Sequence, residues 1–212
     1  TINRLRMENV RNRISPHYML NVLNSVLPSL RKNEETTEPI KLLLQSIRGN
    51  LLVSEKMAVT LEEEVDIVKN YIALNQSTHP NSYKVEWNIA SNVEMQTLLP
   101  SMIMQIPVEN AIKYAFDFDS KDADNLIRIV ISQTNDYLVI SIQDNGVGFD
   151  LHKYSTSSKG TGSGLKILYK TIELLNMKNQ HKILFDIKKL QSESPHGTPI
   201  HIEIPFEYKY EL

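Results

Sequence analysis

Asp144 to Phe149, DNGVGF, is the stretch on which the reading of this chain turns. It follows Tyr137 to Gln143, where apolar and polar residues alternate as in a half-buried strand. A carboxylate at a strand end can accept a hydrogen bond from an exocyclic amine such as that of adenine. Gly146 and Gly148 lack a Cβ, which permits a sharp backbone turn and close approach of a ligand. Taken alone, the stretch reads more readily as a turn, because Asn145-Gly146 is a common hairpin signal.

Two further segments, one on each side, shift that balance. Downstream, Gly160 to Leu165 reads GTGSGL and opens a helical pattern; upstream, Pro107 to Lys113 reads PVENAIK inside another. Asn110 offers a hard amide oxygen of the kind Mg2+ accepts beside phosphate oxygens. Lys113 lies three residues on, on the same side of a helix, where it can face phosphate. Glu109 can orient a nucleophile or take its proton. Backbone N–H groups of Gly160, Gly162 and Gly164 can meet phosphate at a helix start, with Leu165 beside them. The order E-N-A-x-K, D-x-G-x-G, G-x-G-x-G-L resembles the nucleotide boxes of the GHKL ATPase superfamily. Each box alone is a common pattern; three in this order, with the expected elements between them, are specific. The glycine box follows a loop rather than a strand, so it is not a Rossmann fingerprint, and there is no G-x-x-x-x-G-K-S/T.

Residues 1 to 32 read as helix. Met19, Leu20, Leu23, Val26, Leu27 and Leu30 form one apolar stripe, and His17, Asn21 and Asn24 lie largely opposite it. Ser15-Pro16 either caps a new helix or kinks a long one. The run Arg13 to Ser25, RISPHYMLNVLNS, resembles the phosphoacceptor box of LytS-type sensor histidine kinases, with Pro16, His17, Asn21 and Asn24 matching. The resemblance continues through LEEEVDIVKNYIALNQ and the ATPase boxes. It departs at Tyr18, which stands in for the usual Phe, at Tyr114-Ala115 in place of His-Gly, and near His79, which lacks the family's arginine; many other histidine kinases carry an acidic base at the position of Tyr18.

After a polar stretch at residues 33–39, read as a turn, Ile40 to Lys56 reads as a second amphipathic helix. A lone hairpin buries too little apolar surface to stand by itself, and two copies can pair as a four-helix bundle. Thr60 and Glu63 fit a capping box for a helix to about Gln76. Lys84 to Ile89 and Glu94 to Leu99 read as strands, and Pro100 to about Phe116 as a helix interrupted by Pro107. Leu126 to Gln133 and Tyr137 to Gln143 form a hairpin across Asn135-Asp136. Asp150 to Lys159 lacks periodicity and stands where the superfamily has a mobile lid. A helix over Gly164 to Asn176 and strands over Lys182 to Leu190 and Thr198 to Phe206 complete the chain.

The 212 residues, with 41% hydrophobic and 23% charged content, suit a globular protein of one large or two small domains. A net charge of −2 argues against an electrostatic nucleic-acid binder. The absence of cysteine excludes disulfides and thiolate metal sites. No apolar run approaches the roughly 18 residues of a membrane span. The chain opens on Thr1 without a signal peptide and is read as part of something longer.

These readings, with the resemblance, give an α+β expectation. Residues 1–58 are expected, from the resemblance, to be a helical dimerisation and phosphoacceptor region. Residues 59–212 are a GHKL-type two-layer α/β sandwich with a mixed, mostly antiparallel sheet. The resemblance implies Mg2+- and ATP-dependent phosphorylation of His17, then transfer to an aspartate in a response regulator receiver domain. Asn110 would hold Mg2+, with Glu109 as candidate base; Lys113, Asp144, Gly146, Gly148, Gly160, Gly162, Gly164 and Leu165 would bind ATP. It further implies a homodimer, the cytoplasmic region of a bacterial inner-membrane sensor, with an upstream membrane region outside this chain. Three alternatives use the same boxes: a GHKL ATPase working as a conformational clamp, a serine kinase of the anti-sigma type, and a catalytically silent dimeric scaffold. The clamp suits Glu109 but leaves the histidine box unexplained, and the serine kinase lacks a histidine hairpin.

Overall fold

The computed structural model describes residues 56–78, 81–116, 124–146, 163–187 and 197–210. The proposed hairpin with His17, the loop at His79, Gly148, the Asp150–Lys159 segment, Gly160 and Gly162 lie outside the described residues.

Inward alternation builds the sheet. Strand β4 (Leu126–Gln133) buries Ile127, Ile129 and Ile131, and β5 (Tyr137–Asp144) buries Leu138, Ile140 and Ile142. Strand β7 (Pro199–Pro205) buries Ile200, Ile202 and Ile204 in the same way. Burying each of these side chains contributes about 1.5–3 kcal/mol. With β2 (Lys84–Ile89) and β6 (Leu184–Ile187) they form a five-stranded sheet ordered β2-β4-β5-β7-β6. Only the β2–β4 pair is parallel, so the sheet is mixed and mostly antiparallel. Thr134 to Tyr137 closes the β4–β5 hairpin through a Thr134 N–H to Tyr137 carbonyl bond of 2.9 Å.

Helices cover the inward face. Helix α1 (Leu61–Thr78) packs Leu61, Val65, Val68 and Ile72 into the core, and α3 (Ser163–Asn176) packs Leu165, Leu168, Ile172 and Leu175. The capping box forms as expected: the Thr60 N–H donates to Glu63 Oε2 at 2.9 Å, and the Glu63 N–H donates to Thr60 Oγ1 at 3.2 Å.

Two expected elements differ. The strand expected over Glu94 to Leu99 is shorter: β3 is Leu98–Pro100, paired antiparallel with β1 (Ala58–Thr60). The helix expected from Pro100 therefore starts later. Pro100 ends β3, residues 101–104 turn, and α2 spans only Gln105–Asn110 before a π-helical turn over Ala111–Ala115. The backbone reason lies at Met102, whose φ of 68° is left-handed and cannot be part of a right-handed helix.

Candidate nucleotide-binding site

Helix α2 and the π turn present PVENAIK. A π turn widens the helix by one residue and often marks a functional site; here it begins directly after Asn110. The turn that leads into α2 is held from α1. Glu64 is fully buried on the same stripe as Leu61, Val65 and Val68. Its Oε2 accepts the Met102 N–H at 3.1 Å, and its Oε1 accepts the N–H groups of Met104 at 2.9 Å and Gln105 at 3.1 Å. Burial pushes this carboxyl above its ordinary range against the opposing pull of those three donors. Left-handed backbone at a residue such as Met costs about 1–3 kcal/mol, and the carboxylate holds it in place.

From Gln105 the contacts run along the helix. The Gln105 side chain donates from Nε2 to Glu109 Oε1 at 2.8 Å, and Lys113 Nζ donates to Glu109 Oε2 at 3.1 Å. Lys113, read as a phosphate-facing cation, is thus paired with Glu109 on the rim. Leaving that half-exposed pair costs at most about 1 kcal/mol. Both Glu109 oxygens are engaged. Tyr71 on α1 lies close enough to Glu109 and Tyr114 that burial and their charge push its phenol up to about 12.

Asp144 ends β5 on its inward face and is only 5% exposed. The Gly146 N–H donates to its Oδ1 at 2.9 Å, and both the backbone N–H and the hydroxyl of Thr198 hydrogen-bond to it. Burial, the larger influence, pushes this carboxyl above the ordinary aspartate range. Gly146 has no positive φ; its reason is space. A Cβ there would stand 2.0 Å from the carbonyl oxygen of Ala115, so what comes close is the end of the π turn. Gly197 has φ +102°, its N–H donates to the Gly146 carbonyl at 2.7 Å, and a Cβ there would meet the Asp144 carbonyl at 2.0 Å. Two glycines thereby pin the carboxylate strand between the asparagine helix and β7.

Asn110, Asp144 and Leu165 line one pocket with Pro107, Ala111, Tyr114 and Thr198. The three boxes, widely separated in sequence, meet here: Pro107, Asn110 and Ala111 come from the first, Asp144 from the second and Leu165 from the third. Asn110 Nδ2 is buried with no hydrogen-bond partner, a donor that a bound polar group would satisfy. Gly164 sits at the mouth of α3, with Ile106 Cγ2 3.4 Å from where its Cβ would be. Glu109, Lys113, Gly146 and Gly164 flank the pocket without lining it. Among the described residues no three histidine, aspartate or glutamate side chains form a metal cage. The side-chain oxygen of Asn110 is the kind of hard amide donor that Mg2+ accepts beside phosphate oxygens.

Glu64, Thr198 and Gly197 were not singled out from sequence. Glu64 left one signal, a carboxylate within a buried apolar stripe. Thr198 and Gly197 left none, because their partners Asp144 and Gly146 lie about 50 residues earlier.

Comparison with known proteins decides the family. A model described as histidine kinase-, DNA gyrase B-, and HSP90-like ATPase matches residues 98–208. The chain belongs to this ATPase family. A second model, histidine kinase, matches residues 5–83 and places it among the family's histidine kinases. It is 31% identical over 202 residues to the sensor protein LytS of Enterococcus faecalis, covering 92% of this chain and 33% of that protein. It is 32% identical over 163 residues to the sensor histidine kinase/phosphatase LytS of Staphylococcus aureus, covering 73% and 28%. The chain thus spans about a third of the length of these relatives. The histidine kinase domain of a blue-light activated histidine kinase from Erythrobacter litoralis has the same fold. Its TM-score is 0.50 at 16% identity, over 94% of this chain and 93% of that one. No helix among the described residues is long and apolar enough to cross a membrane.

Proposed function

We propose that this chain is the kinase region of a two-component sensor, which transfers the γ-phosphoryl group of ATP to His17 and from there to an aspartate of a response regulator receiver domain. The convergence of Asn110, Asp144 and Leu165 on one pocket carries the reading. Asp144 accepts the adenine amine. Gly146 keeps that carboxylate against the asparagine helix. Asn110 would hold Mg2+, which when bound would neutralise phosphate charge. Lys113 leaves Glu109 to meet phosphate, and Gly160, Gly162 and Gly164 offer backbone N–H groups to it.

Neutral imidazole is a competent nucleophile near neutral pH. As the bond from a His17 ring nitrogen to the γ-phosphorus forms, the bond from that phosphorus to the ADP oxygen breaks. Phosphoryl transfer needs alignment and charge neutralisation more than nucleophilic push. Glu109, freed at Oε2 when Lys113 moves, is the candidate base for the remaining ring proton. Residues 1–58 would carry His17 and the homodimer contact, and the whole would be the cytoplasmic region of a membrane sensor.

Asn110→Asp tests the nucleotide site. It puts a second negative charge beside the polyphosphate and replaces the unpartnered Nδ2 donor with an acceptor. Mg2+-dependent affinity for a fluorescent ATP analogue is expected to fall by about tenfold or more, the equivalent of about 1.4 kcal/mol. Unchanged affinity would remove Asn110 from the site.

Asp144 predicts a pH dependence. The ionised form accepts the amine, and its pKa in the folded protein is raised. Analogue affinity should therefore decline, on acidification, at a higher pH than an ordinary aspartate near 3.9 would give. The same shift has the opposite sign for folding: its stabilising contribution is full below the unfolded value and is lost as pH rises through the folded one. Affinity that holds down to about pH 4 would contradict this role of Asp144.

A further inference from the structure

We infer that Glu64 is a positioning residue of the nucleotide site, which fixes the turn from Met102 to Gln105 and through it the placement of Glu109, Asn110 and Lys113. The inference rests on the nucleotide-site reading above and adds a residue that makes no contact with the pocket.

Three observations converge on it. First, a carboxylate stands fully buried in an apolar stripe of α1, facing three backbone N–H groups of one turn. A buried charge is retained at such a place only when hydrogen-bonded, and here both oxygens serve the turn that opens α2. Second, that turn contains left-handed Met102, whose N–H is the donor to Glu64 Oε2. The other non-glycine left-handed residue described, Asn81, is of a type that tolerates this conformation; Met is not. Third, Gln105 receives both ends of the relay: its N–H is held by Glu64 and its side chain holds Glu109, which holds Lys113. Asn110 is the last residue of the same six-residue helix, so a change at its first turn has no length over which to dissipate.

Glu64→Gln is the sharpest probe. The amide oxygen can keep the Met104 and Gln105 donors while its NH2 faces the Met102 N–H, donor against donor. Met102 then loses its anchor and the turn relaxes. Adding Met102→Gly makes the left-handed conformation inexpensive again and is expected to recover part of what Glu64→Gln loses. Affinity of the full chain for a fluorescent ATP analogue with Mg2+ is read well below each variant's melting transition, and the melting temperature is read in parallel. The expected result is on the order of tenfold weaker binding in Glu64→Gln, with roughly threefold or more regained in the double variant. Wild-type affinity in Glu64→Gln, whatever its melting temperature, overturns the proposal. So does a Glu64→Gln protein that fails to fold both with and without Met102→Gly, because the residue's role is then structural alone. If the wild-type chain itself binds no analogue, it is the nucleotide-site reading that fails, not the assignment of Glu64.

Discussion

His17→Gln is expected to abolish incorporation of phosphate from ATP while leaving ATP binding and thermal stability close to wild type. Glutamine keeps polarity and approximate size but has no imidazole nitrogen on which a phosphoramidate can form. His17 is about 90 residues before Asn110 and belongs to a different sequence element, outside the described residues. It also lies off the apolar stripe of its helical pattern, so its replacement should change stability by no more than about 0.5 kcal/mol. Three readouts are therefore coupled: no alkali-stable label, unchanged analogue affinity, unchanged melting temperature. The other histidines are His79, His152, His181, His196 and His201. His201 is occupied on the outer face of the sheet, where its Nε2 contacts Glu203 Oε1 at 2.9 Å. Alkali-stable label that persists in His17→Gln would move the acceptor to one of these. Lost affinity together with a lowered melting temperature would make His17 a structural residue.

Gly146→Ala should have the second largest effect, and on folding and binding together. The added methyl would stand 2.0, 2.5 and 2.7 Å from the carbonyl oxygen, carbonyl carbon and Cβ of Ala115. Two of those are backbone atoms, so rotamer adjustment cannot relieve the clash. Overpacking of this kind costs about 1–3 kcal/mol or more, which lowers the melting temperature by roughly 5–10 °C for a domain of this size. Because the strand bearing Asp144 must then separate from the π turn after Asn110, analogue affinity should fall as well. Gly164→Ala is the control, since its methyl meets only the Ile106 side chain, Cγ2 at 3.4 Å and Cγ1 at 4.0 Å. It should leave the melting temperature within about 2–4 °C of wild type. Equal melting temperatures for wild type and Gly146→Ala would contradict the close approach seen here.

Much of the sheet was legible in the sequence because its signal is local and repeated. Strands β4 and β5 alternate over eight residues each, and Asn135-Asp136 marks the turn between them. The Thr60–Glu63 box is likewise local and formed as read. Strands β1 and β3 were different. Each has three residues, too few for any periodicity, and their pairing is a contact across some 40 positions. Without it, Pro100 looks like the first residue of a helix, a place proline favours, when it is in fact the last residue of a strand.

The site was legible in outline for a different reason. The order of the boxes singles out Asn110, Asp144 and Leu165 as candidates, and the fold brings them to one pocket. The supports of the site were not legible. The glycine pattern suggests freedom to turn and room for a ligand, and does not reveal that the missing Cβ of Gly146 also makes room for Ala115. The pairing of Lys113 with Glu109 carries no signal in the box that suggests a phosphate-facing lysine. Thr198 and Gly197 act on Asp144 and Gly146 from the neighbouring strand and its approach, and only the β5–β7 register reveals them. Glu64 looked like one of three acidic residues favoured by the helix dipole in a first turn; its face, not its type, sets it apart.

Autophosphorylation of this chain on histidine, as proposed, is checked most directly by the chemical stability of the phosphorylated protein. The chain is incubated with γ-labelled ATP and Mg2+, and the labelled protein is divided between alkali and acid. A phosphoramidate on a His17 ring nitrogen predicts label that survives alkali and is lost in acid. Label that survives acid and is lost in alkali, as from a serine ester, would contradict the account, and so would ATP hydrolysis with no label on the protein.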